Sequence, residues 1–399
     1  MRDQTLCVRR PLVSHEGFAS LAVPTYRAST IVFSDAKSYT ERKNRGPDGY
    51  SYGLHGTPTS RTLEAALSAL EGGARTVLMP SGQAAIALVM TTVLMPGDSV
   101  LIPDTVYPPA KGFCENFLKP RGIGYRIYDP MIGSGIAELI DFTVKLVWTE
   151  SPGSTTMEVQ DIPAIVAAAH DKNALVGCDN TWATPLFFKP LAHSVDFAVE
   201  ALTKYAGGHS DLLMGSVSVR DIALHRRLKD TMRMTGIGVS PDDCSLVLRG
   251  LETMGVRLAH VSAVASDFAL RIAEQVPAEL VLHPALPNTP GHDVWKRDFA
   301  GSSGVFSLVV PPHAEDAISA LLSSAKVFSI GASWGGTHSL IAPMNIVKDR
   351  ALGGPVHDGT ILRISIGLED PRDLWADLEP IVAAIANEEK TLRKPGASS

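Results

Sequence analysis

Residues 196–215 read D-F-A-V-E-A-L-T-K-Y-A-G-G-H-S-D-L-L-M-G. The apolar run Phe197-Ala198-Val199 predicts a short buried strand, and the polar and small residues that follow predict a loop. Lys204 lies in this loop and is followed by Gly207-Gly208. Because glycine has no side chain, a bulky anionic ligand can approach the backbone closely there. The stretch therefore predicts a strand that delivers a lysine to a ligand site.

A second apolar run, Leu175-Val176-Gly177-Cys178, ends on Asp179, which precedes Lys204 by 25 residues. Two strands that end in a carboxylate and a lysine meet the chemical needs of pyridoxal phosphate (PLP). The lysine amine forms a Schiff base with this cofactor, and the carboxylate keeps the pyridine nitrogen protonated so that the ring accepts electrons. We therefore expect PLP to bind between Asp179 and Lys204.

The composition is that of an ordinary globular chain long enough for two domains. The 399 residues are 45% hydrophobic and 20% charged, and the formal net charge is −6. This charge provides no general basic field for nucleic acid or an anionic membrane. We find neither a run of about 18 apolar residues nor an apolar segment at the N-terminus, so we expect no transmembrane helix and no signal peptide.

The cysteines predict a reducing compartment and no metal site. Cys7, Cys114, Cys178 and Cys244 lie far apart, and none forms a C-x-x-C pair. Zinc and thioredoxin-like redox motifs are therefore not expected. Free thiols in the cytoplasm are the default for such a chain.

Two further junctions carry candidate ligand groups. The predicted strand 76–80 runs into Ser81-Gly82-Gln83, where a long apolar helix begins, and a helix start of small residues offers backbone N–H groups to a phosphate. An ordinary helix cap explains the same pattern. The predicted strand 100–104 is followed by Tyr107, which either stacks on a flat cofactor ring or packs against the neighbouring prolines.

Strands alternate with helices over about residues 75–220, which predicts an α/β fold with a mostly parallel sheet. Gly82, Tyr107, Asp179 and Lys204 all follow the carboxyl ends of predicted strands. Ligands bind at this edge of an open α/β sheet. The convergence of four candidates on one edge strengthens the prediction of a single site.

The pattern changes after about Arg249, where a long amphipathic helix over 250–273 leads into a predicted α+β region. Arg363 lies within the apolar strand pattern 361–367 and needs a partner, because an isolated buried charge is costly. That partner is either a structural salt bridge or a substrate carboxylate bound by the guanidinium fork. We divide the chain into an N-terminal arm (1–58), a cofactor domain (59–249) and a C-terminal domain (250–399).

These features resemble the Cys/Met-metabolism class of fold-type I PLP enzymes over essentially the full chain. The motifs that carry the resemblance are Tyr52-Gly53 with Gly56-Thr57-Pro58-Thr59, Ser81-Gly82, Tyr107, Asp179-Asn180-Thr181-Trp182, Thr203-Lys204-Tyr205 with Gly208-His209-Ser210-Asp211, Ser333-Trp334-Gly335-Gly336, and Arg363 with Gly367-Leu368-Glu369-Asp370. The resemblance implies a mostly parallel seven-stranded sheet, an N-terminal arm and a smaller α+β C-terminal domain.

The resemblance also implies roles at the cofactor. Lys204 is the catalytic lysine that carries PLP as an aldimine and later moves a proton between Cα and the leaving sulfur. Asp179 pairs with the pyridinium nitrogen, and Tyr107 stacks on the ring beside the reacting atoms. The residues implied at the phosphate are Gly82, Gln83 and Thr203.

Other residues are implied at the substrate and across a subunit interface. Ser333, Trp334 and Arg363 would orient the substrate, with Arg363 on its α-carboxylate. Tyr52 would reach into the active site of a neighbouring subunit, where it would bind the cofactor and take part in catalysis. Composition alone favours a surface loop whose aromatic side chains pack on a neighbour for the Tyr52 segment. The family is usually a homotetramer built from two such dimers.

The tryptophan in S-W-G-G resembles the branch of the family that cleaves at Cβ. The implied activity is β-elimination of L-cystathionine to homocysteine, pyruvate and ammonia in methionine biosynthesis, with cystine and cysteine S-conjugates as further substrates. The alternatives on the same scaffold are γ-elimination, γ-replacement and cysteine desulfhydration. A PLP-binding regulator without turnover is the alternative from another class, but the chain has no basic patch that would bind DNA.

The chain departs from the family pattern at two positions. Relatives commonly carry an arginine where Leu54 stands, and that arginine clamps the cofactor phosphate across the dimer. His55 or Arg61 would supply the missing charge, or nothing replaces it. Ala201 stands where a hydroxyl residue often adds a phosphate contact. Neither change affects Lys204, so we expect the chemistry to survive.

Overall fold

A computed structural model of the chain describes residues 16–46, 48–346, 350–352 and 360–392. The first 15 residues of the expected arm, and with them the free thiol expected at Cys7, lie outside these ranges. The other three cysteines, Cys114, Cys178 and Cys244, are buried and form no disulfide.

The larger sheet has seven strands, which are β1 (Arg75–Met79), β2 (Ser99–Pro103), β3 (Gly124–Tyr128), β4 (Val144–Glu150), β5 (Leu175–Asp179), β6 (Phe197–Glu200) and β7 (Gly215–Val219). Their order across the sheet is β1-β7-β6-β5-β4-β2-β3. The five strands from β6 to β3 are parallel, whereas β7 is antiparallel to both of its neighbours. The expected mostly parallel seven-stranded sheet is therefore confirmed.

Two strands of this sheet were not predicted from the sequence. Strand β7 is buried along its whole length, yet Ser216 and Ser218 interrupt its apolar run. Ser218 is accommodated by a hydrogen bond of 2.8 Å between its hydroxyl and that of Thr76 on β1. Strand β3 is the partly exposed edge strand and carries only a weak apolar pattern. Both segments form strands because they pair with neighbouring strands of the sheet, although their own apolar patterns are weak.

The helices of the described ranges are α1 (Ala36–Thr40), α2 (Pro58–Glu71), α3 (Gly82–Val93), α4 (Pro108–Phe113), α5 (Ile162–Asp171), α6 (Thr184–Phe187), α7 (Ile222–Met234), α8 (Pro241–Ala273), α9 (His292–Asp298), α10 (Glu315–Ser324) and α11 (Pro371–Leu392). Among them, none is both long and apolar enough to cross a membrane. The predicted helix after strand β1 is present as α3, whereas α7 and α11 were not predicted.

The ends of α2 follow directly from its sequence. At the amino end the N–H of Thr57 donates to Oγ of Ser60 at 2.8 Å, and Gly72 ends the helix in the left-handed conformation with φ +68°. Leu63 and Leu67, one turn apart, are fully buried. Helix α2 thus covers one face of the sheet through a single apolar stripe.

The smaller sheet has five strands in the order β10-β11-β12-β9-β8. They are β8 (Val281–Leu282), β9 (Val305–Val309), β10 (Ser329–Ile330), β11 (Leu340–Met344) and β12 (Ile361–Ser365). Helix α8 packs with this sheet and with α2 in one apolar cluster. The helix expected over 250–273 begins earlier, at Pro241, so the boundary at residue 249 falls inside one continuous helix.

The arm described from residue 16 is largely exposed. Its backbone is attached to α2 where the N–H of Tyr26 donates to the hydroxyl of Thr59 at 2.8 Å. Several large apolar side chains of the arm have no cover: Phe18 is 74% exposed, Val32 is 89% exposed and Leu21 is completely exposed. Uncovered apolar groups of this size are typical of a segment that contacts another protein surface.

Candidate active site

The carboxyl ends of the parallel strands open into a cavity of about 220 Å³. Strand β4 ends at Glu150 and β5 at Asp179, side by side in the sheet, and the loop after β6 brings Lys204 to the same edge. The polar residues that line the cavity are Ser81, Gly82, Gln83, Tyr107, Glu150, Ser154, Thr155, Asp179, Thr181, Thr203, Lys204 and Arg363. The candidates from four separate strand ends therefore lie in one place.

Lys204 presents its amine to this cavity. Its Nζ donates a hydrogen bond of 2.6 Å to Oγ of Ser333 and lies 5.3 Å from the centroid of the Trp334 ring. Burial, and secondarily the charge of Arg363, lowers the pKa of Lys204 to about 8, whereas Asp179 acts in the opposite direction. A large fraction of the amine is therefore neutral at slightly alkaline pH, and the neutral form acts as nucleophile and base.

Asp179 is held in place by Thr181. The backbone N–H and the hydroxyl of Thr181 both donate to Oδ1 of Asp179, at 3.0 and 2.5 Å. The same hydroxyl oxygen accepts the N–H of Ala201 at 2.9 Å. Burial raises the pKa of Asp179, and the bonds from Thr181 and the charge of Lys204 oppose that rise. A protonated pyridine nitrogen beside this carboxylate would favour its ionised form further.

Arg363 projects into the cavity from β12, in the smaller sheet. Its Nη2 donates to the carbonyl oxygen of Ala332 at 2.6 Å. Within the described part of the chain, no ion pair or carboxylate hydrogen bond involves Arg363, so the structural salt bridge considered from the sequence is not found. Burial lowers its pKa from the usual value, with Tyr107 opposing. The guanidinium thus has donors left for an anionic ligand.

Tyr107 stands at the entrance of the cavity, immediately before α4. Its side chain is not packed away against the following prolines, because 42% of the residue is exposed. Its backbone N–H donates to Oε2 of Glu150 at 2.7 Å. Burial raises the pKa of the Tyr107 phenol, and the carboxylates of Asp179 and Glu150 raise it further. The phenol is therefore neutral and available to contact a flat ring.

The amino end of α3 opens into the cavity through Ser81, Gly82 and Gln83. The Oγ of Ser81 caps the helix by accepting the N–H of Ala84 at 3.1 Å. A Cβ atom at Gly82 would lie only 2.5 Å from the Cβ of Ala201, so a side chain at residue 82 would collide with Ala201. The first N–H groups of a helix have no partner within it and bind phosphate well.

Two side chains expected at the phosphate are already bonded to the protein. Nε2 of Gln83 donates to the carbonyl of Pro109 at 3.1 Å. The hydroxyl of Thr203 donates to the carbonyl of Met214 and accepts the N–H of the same residue, at 3.1 and 3.0 Å. Thr203 therefore borders the cavity with its donors occupied, whereas the first backbone N–H groups of α3 are left open to an anionic ligand.

The S-W-G-G loop packs directly on the lysine. Ser333 accepts the hydrogen bond from Lys204, and the Trp334 ring lies 5.6 Å from that of Tyr205. Gly335 has φ +82°, and a Cβ there would lie 3.2 Å from the Cβ of Lys204. Glycine is required at this position both for the backbone conformation and for the close approach.

Tyr52 is the one expected site residue that lies away from the cavity of its own chain. It is 50% exposed. It forms part of a separate cavity of about 490 Å³ between the arm and α7, lined by Arg42, Lys43, Gly46, Gly49, Ser51, Tyr52, His55, Arg61, His225, Arg226, Lys229, Asp230, Met232 and Arg233. This basic cavity contains far more cationic than anionic side chains, although the whole chain is acidic.

Neither residue considered as a replacement for the missing arginine is free in this chain. Arg61 forms an ion pair of 2.6 Å with Glu64 and donates to the carbonyl of His55 at 2.6 Å. Nδ1 of His55 is hydrogen-bonded to the hydroxyl of Ser51 at 2.8 Å. Burial, followed by the charges of neighbouring basic residues, lowers the pKa of His55, so it is neutral at physiological pH.

Sequence reasoning missed several residues of the cavity wall. They are Glu150, Ser154, Thr155, Met157, Leu213 and Val305. Glu150 carried a usable signal, since it is an acidic residue at the end of an apolar strand, as Asp179 is. The others come from loops and from the second sheet, and no local pattern marks them.

The fold, the lysine, the carboxylate and the helix end together define a PLP-dependent enzyme of fold type I. A family model described as "Cys/Met metabolism PLP-dependent enzyme" matches residues 4–382. The chain therefore belongs to the Cys/Met metabolism family of PLP-dependent enzymes. The residues present fit the cofactor, because an amine of lowered pKa, a held carboxylate and open helix N–H groups face one cavity.

Similar proteins agree with this assignment. The cystathionine beta-lyase MetC of Escherichia coli is 40% identical over 90% of this chain and 92% of that protein. The L-alanine/L-glutamate racemase of Wolbachia pipientis is 36% identical over 96% of this chain and 98% of that protein. The crystal structure of a cystathionine gamma synthase from Xanthomonas oryzae, with a TM-score of 0.83 and 29% identity, covers 93% of this chain and 95% of its own.

Proposed function

We propose that this chain catalyses β-elimination of L-cystathionine to homocysteine, pyruvate and ammonia. The observation that carries the proposal is the meeting of Lys204, Asp179 and Arg363 in one cavity. The choice of Cβ over Cγ is supported by identity: the relative named a cystathionine beta-lyase is 40% identical, whereas a cystathionine gamma-lyase of Bacillus subtilis is 30% identical.

Each of these residues has a chemical task in the proposed reaction. PLP, when bound, supplies an electron sink for the negative charge that develops at Cα. Lys204 takes the Cα proton and delivers a proton to the leaving sulfur, for which a pKa of about 8 is suitable. Asp179 provides the negative charge that keeps the cofactor ring protonated. Arg363 binds the α-carboxylate, and Ser333 orients the amine of Lys204.

The test is product analysis with L-cystathionine. We expect pyruvate and homocysteine in equal amounts, identified by mass spectrometry because lactate dehydrogenase accepts other short 2-oxo acids as well. Formation of 2-oxobutyrate would instead place the enzyme in the γ branch. A purified protein that binds PLP but releases no oxo acid would contradict the proposal.

Racemisation is the second candidate, and the racemase of Wolbachia pipientis is the observation that favours it. Racemisation and elimination both begin with removal of the Cα proton, so the same lysine serves either reaction. Incubation with L-alanine and chiral chromatography of the product separates the two. We expect D-alanine to form at least about tenfold more slowly than pyruvate forms from L-cystathionine; the reverse order would make racemisation the main activity.

Replacing Arg363 with alanine is expected to raise the KM for L-cystathionine by at least about tenfold, with a smaller effect on kcat. The reason is the loss of a charge-assisted, two-point contact with the α-carboxylate. Arg363→Lys keeps the charge without the planar fork and should restore only part of the loss. An unchanged KM in steady-state assays of Arg363→Ala would remove this role.

The lowered pKa of Lys204 predicts a pH dependence of PLP capture. The neutral amine reacts with the cofactor, so the rate at which the apo-protein captures PLP should rise with pH and reach half its maximum near pH 8. Stopped-flow absorbance measures this rate. Removing the positive charge in Arg363→Met should move the midpoint to higher pH, because Arg363 contributes to the lowering. A wild-type midpoint near 10.5, the ordinary value for lysine, would contradict the assignment.

We also propose that the arm, residues 1–58, completes the site of a neighbouring subunit in a homotetramer of two dimers. The proposal is supported by the exposed apolar side chains Leu21 and Val32, and by the position of Tyr52 outside the cavity of its own chain. The basic cavity beside Tyr52 would place positive charge near the neighbouring cofactor phosphate, where Leu54 has none. Residues 59–249 would form the cofactor domain and 250–399 the C-terminal domain.

We further propose a cytoplasmic location in methionine biosynthesis. Three cysteines, Cys114, Cys178 and Cys244, remain free and buried, as expected in a reducing compartment. The assignment to methionine biosynthesis depends on the proposed thiol product, homocysteine.

A further inference from the structure

Glu150 accepts a hydrogen bond that has no part in the reaction proposed above. It ends β4, lines the cavity and accepts the backbone N–H of Tyr107 at Oε2, at a distance of 2.7 Å. The bond joins residues 43 positions apart in the chain. The main-chain carbonyl of Glu150 is fixed too, since it accepts a hydrogen bond of 3.0 Å from Nε2 of Gln160. A rigid strand end thus holds the loop that carries Tyr107.

The same carboxyl group stands beside Asp179. The two residues pair in register on neighbouring parallel strands, and both line the cavity. Burial raises the pKa of Glu150 well above its usual value, and the charge of Asp179 raises it further, whereas the N–H of Tyr107 lowers it. The other titratable groups that interact with Glu150 are Tyr128 on β3 and Cys178 on β5, whose own pKa values are raised by burial and which are neutral at physiological pH.

We propose that Glu150 is a positioning residue that holds Tyr107 over the cofactor through the backbone hydrogen bond. The inference rests on the proposed PLP site. The N–H of Tyr107 needs only an oxygen acceptor at this distance, and a neutral carboxylic acid provides one through its carbonyl oxygen.

A neutral Glu150 also leaves Asp179 as the single carboxylate of the pair that carries charge. Two ionised carboxylates side by side in a buried site are unfavourable, so one of them keeps its proton. Asp179 accepts two hydrogen bonds from Thr181 and interacts with the charge of Lys204, which favours its ionised form. Glu150 has one such donor, the N–H of Tyr107. Asp179 therefore carries the negative charge and Glu150 keeps its proton, because Asp179 has more hydrogen-bond donors and a cation beside it.

The experiment compares Glu150→Gln with Glu150→Ala. Glutamine keeps the shape, the acceptor oxygen and the neutral charge, so we expect its PLP dissociation constant, its kcat and the pH profile of kcat/KM to stay within about twofold of the wild type. Alanine removes the acceptor, and we expect about tenfold weaker PLP binding and about tenfold lower kcat. PLP affinity is measured by fluorescence quenching of the apo-protein, so it reports on Glu150 even if β-elimination is not the reaction.

A double-mutant cycle with Tyr107→Ala separates positioning from general stabilisation. If Glu150 acts through Tyr107, then Glu150→Ala in the Tyr107→Ala background should change PLP affinity by less than about twofold. Full additivity of the two changes would overturn the positioning role of Glu150. A shifted pH profile in Glu150→Gln would show that Glu150 is ionised and would overturn the division of charge between Glu150 and Asp179. Glu150→Asp, which falls one methylene short of the N–H, serves if the alanine variant does not fold.

The matched control is Asp377→Ala. Asp377 accepts backbone N–H groups of Lys326, Val327 and Phe328 in the C-terminal region and does not line the cavity. Its loss should lower Tm and leave PLP affinity unchanged. A similar loss of PLP affinity in this control would mean that Glu150 contributes to stability alone.

Discussion

Lys204→Ala is expected to lower the rate of pyruvate release from L-cystathionine by at least about a thousandfold while the fold is retained. In the proposed mechanism the amine of Lys204 removes the Cα proton and protonates the sulfur, and its place in the cavity and its pKa of about 8 suit both tasks. Because Lys204 lies in a loop after β6, and because its Nζ bonds to Ser333 alone among the residues that the structure describes, its truncation leaves the core packing intact. Circular dichroism and Tm verify the fold.

The matched control for this variant is Lys145→Ala. Lys145 lies on β4, is exposed and bonds to the carbonyl of Phe142, outside the cavity. It should keep wild-type turnover, which excludes an effect of lysine removal as such. Turnover of Lys204→Ala within tenfold of the wild type would show that another group moves the proton, and the proposed mechanism would fail.

Asp179→Asn is expected to lower kcat by about a hundredfold or more while PLP still binds. Asparagine has nearly the same shape and keeps an oxygen that accepts the bonds from Thr181. It lacks the negative charge, so the protonated pyridine ring loses its counter-charge and becomes a weaker electron sink. The absorbance of bound PLP and the release of pyruvate are measured on the same sample, so cofactor loss and loss of turnover are told apart.

Asp196→Asn provides the comparison. Asp196 precedes β6, accepts the N–H of Val176 at 2.7 Å and pairs with His170 at 3.0 Å, away from the cavity. The Asp196→Asn substitution should lower the free energy of unfolding by about 1 kcal/mol and leave kcat unchanged. If Asp179→Asn also retained kcat, the charge of Asp179 would have no part in the reaction.

The larger sheet was predictable because most of its strands are short apolar runs bounded by polar or small residues. Strands β2, β5 and β6 were located within one or two residues, and the residues after them fell at the edge where the cavity opens. A continuous apolar run indicates burial on both faces, which is the condition of a central parallel strand. The same signal failed for β7, where Ser216 and Ser218 are buried through hydroxyl pairing and tight packing.

The chemistry around Glu150 could not be derived from the sequence for a different reason. Its raised pKa and its bond to Tyr107 depend on which strands are neighbours, and register is a tertiary property. Likewise, the hydroxyl of Thr203 was expected at the phosphate, but the antiparallel turn into β7 places Met214 against it.

The site is assembled beside two sheets, with Asp179 on β5 and Lys204 in the loop after β6 on one side, and Arg363 on β12 and Trp334 in the loop before β11 on the other. Mutations can therefore change what the enzyme selects without altering the group that performs the chemistry. Changes on the strands beside β12 would leave Lys204 and Asp179 in place, whereas Trp334, whose ring centroid lies 5.3 Å from Nζ of Lys204, is less free to change. Gly335 sets the limit of that freedom, because a side chain there would press on Lys204. Directed evolution of a new specificity should therefore begin in the smaller sheet and leave this glycine unchanged.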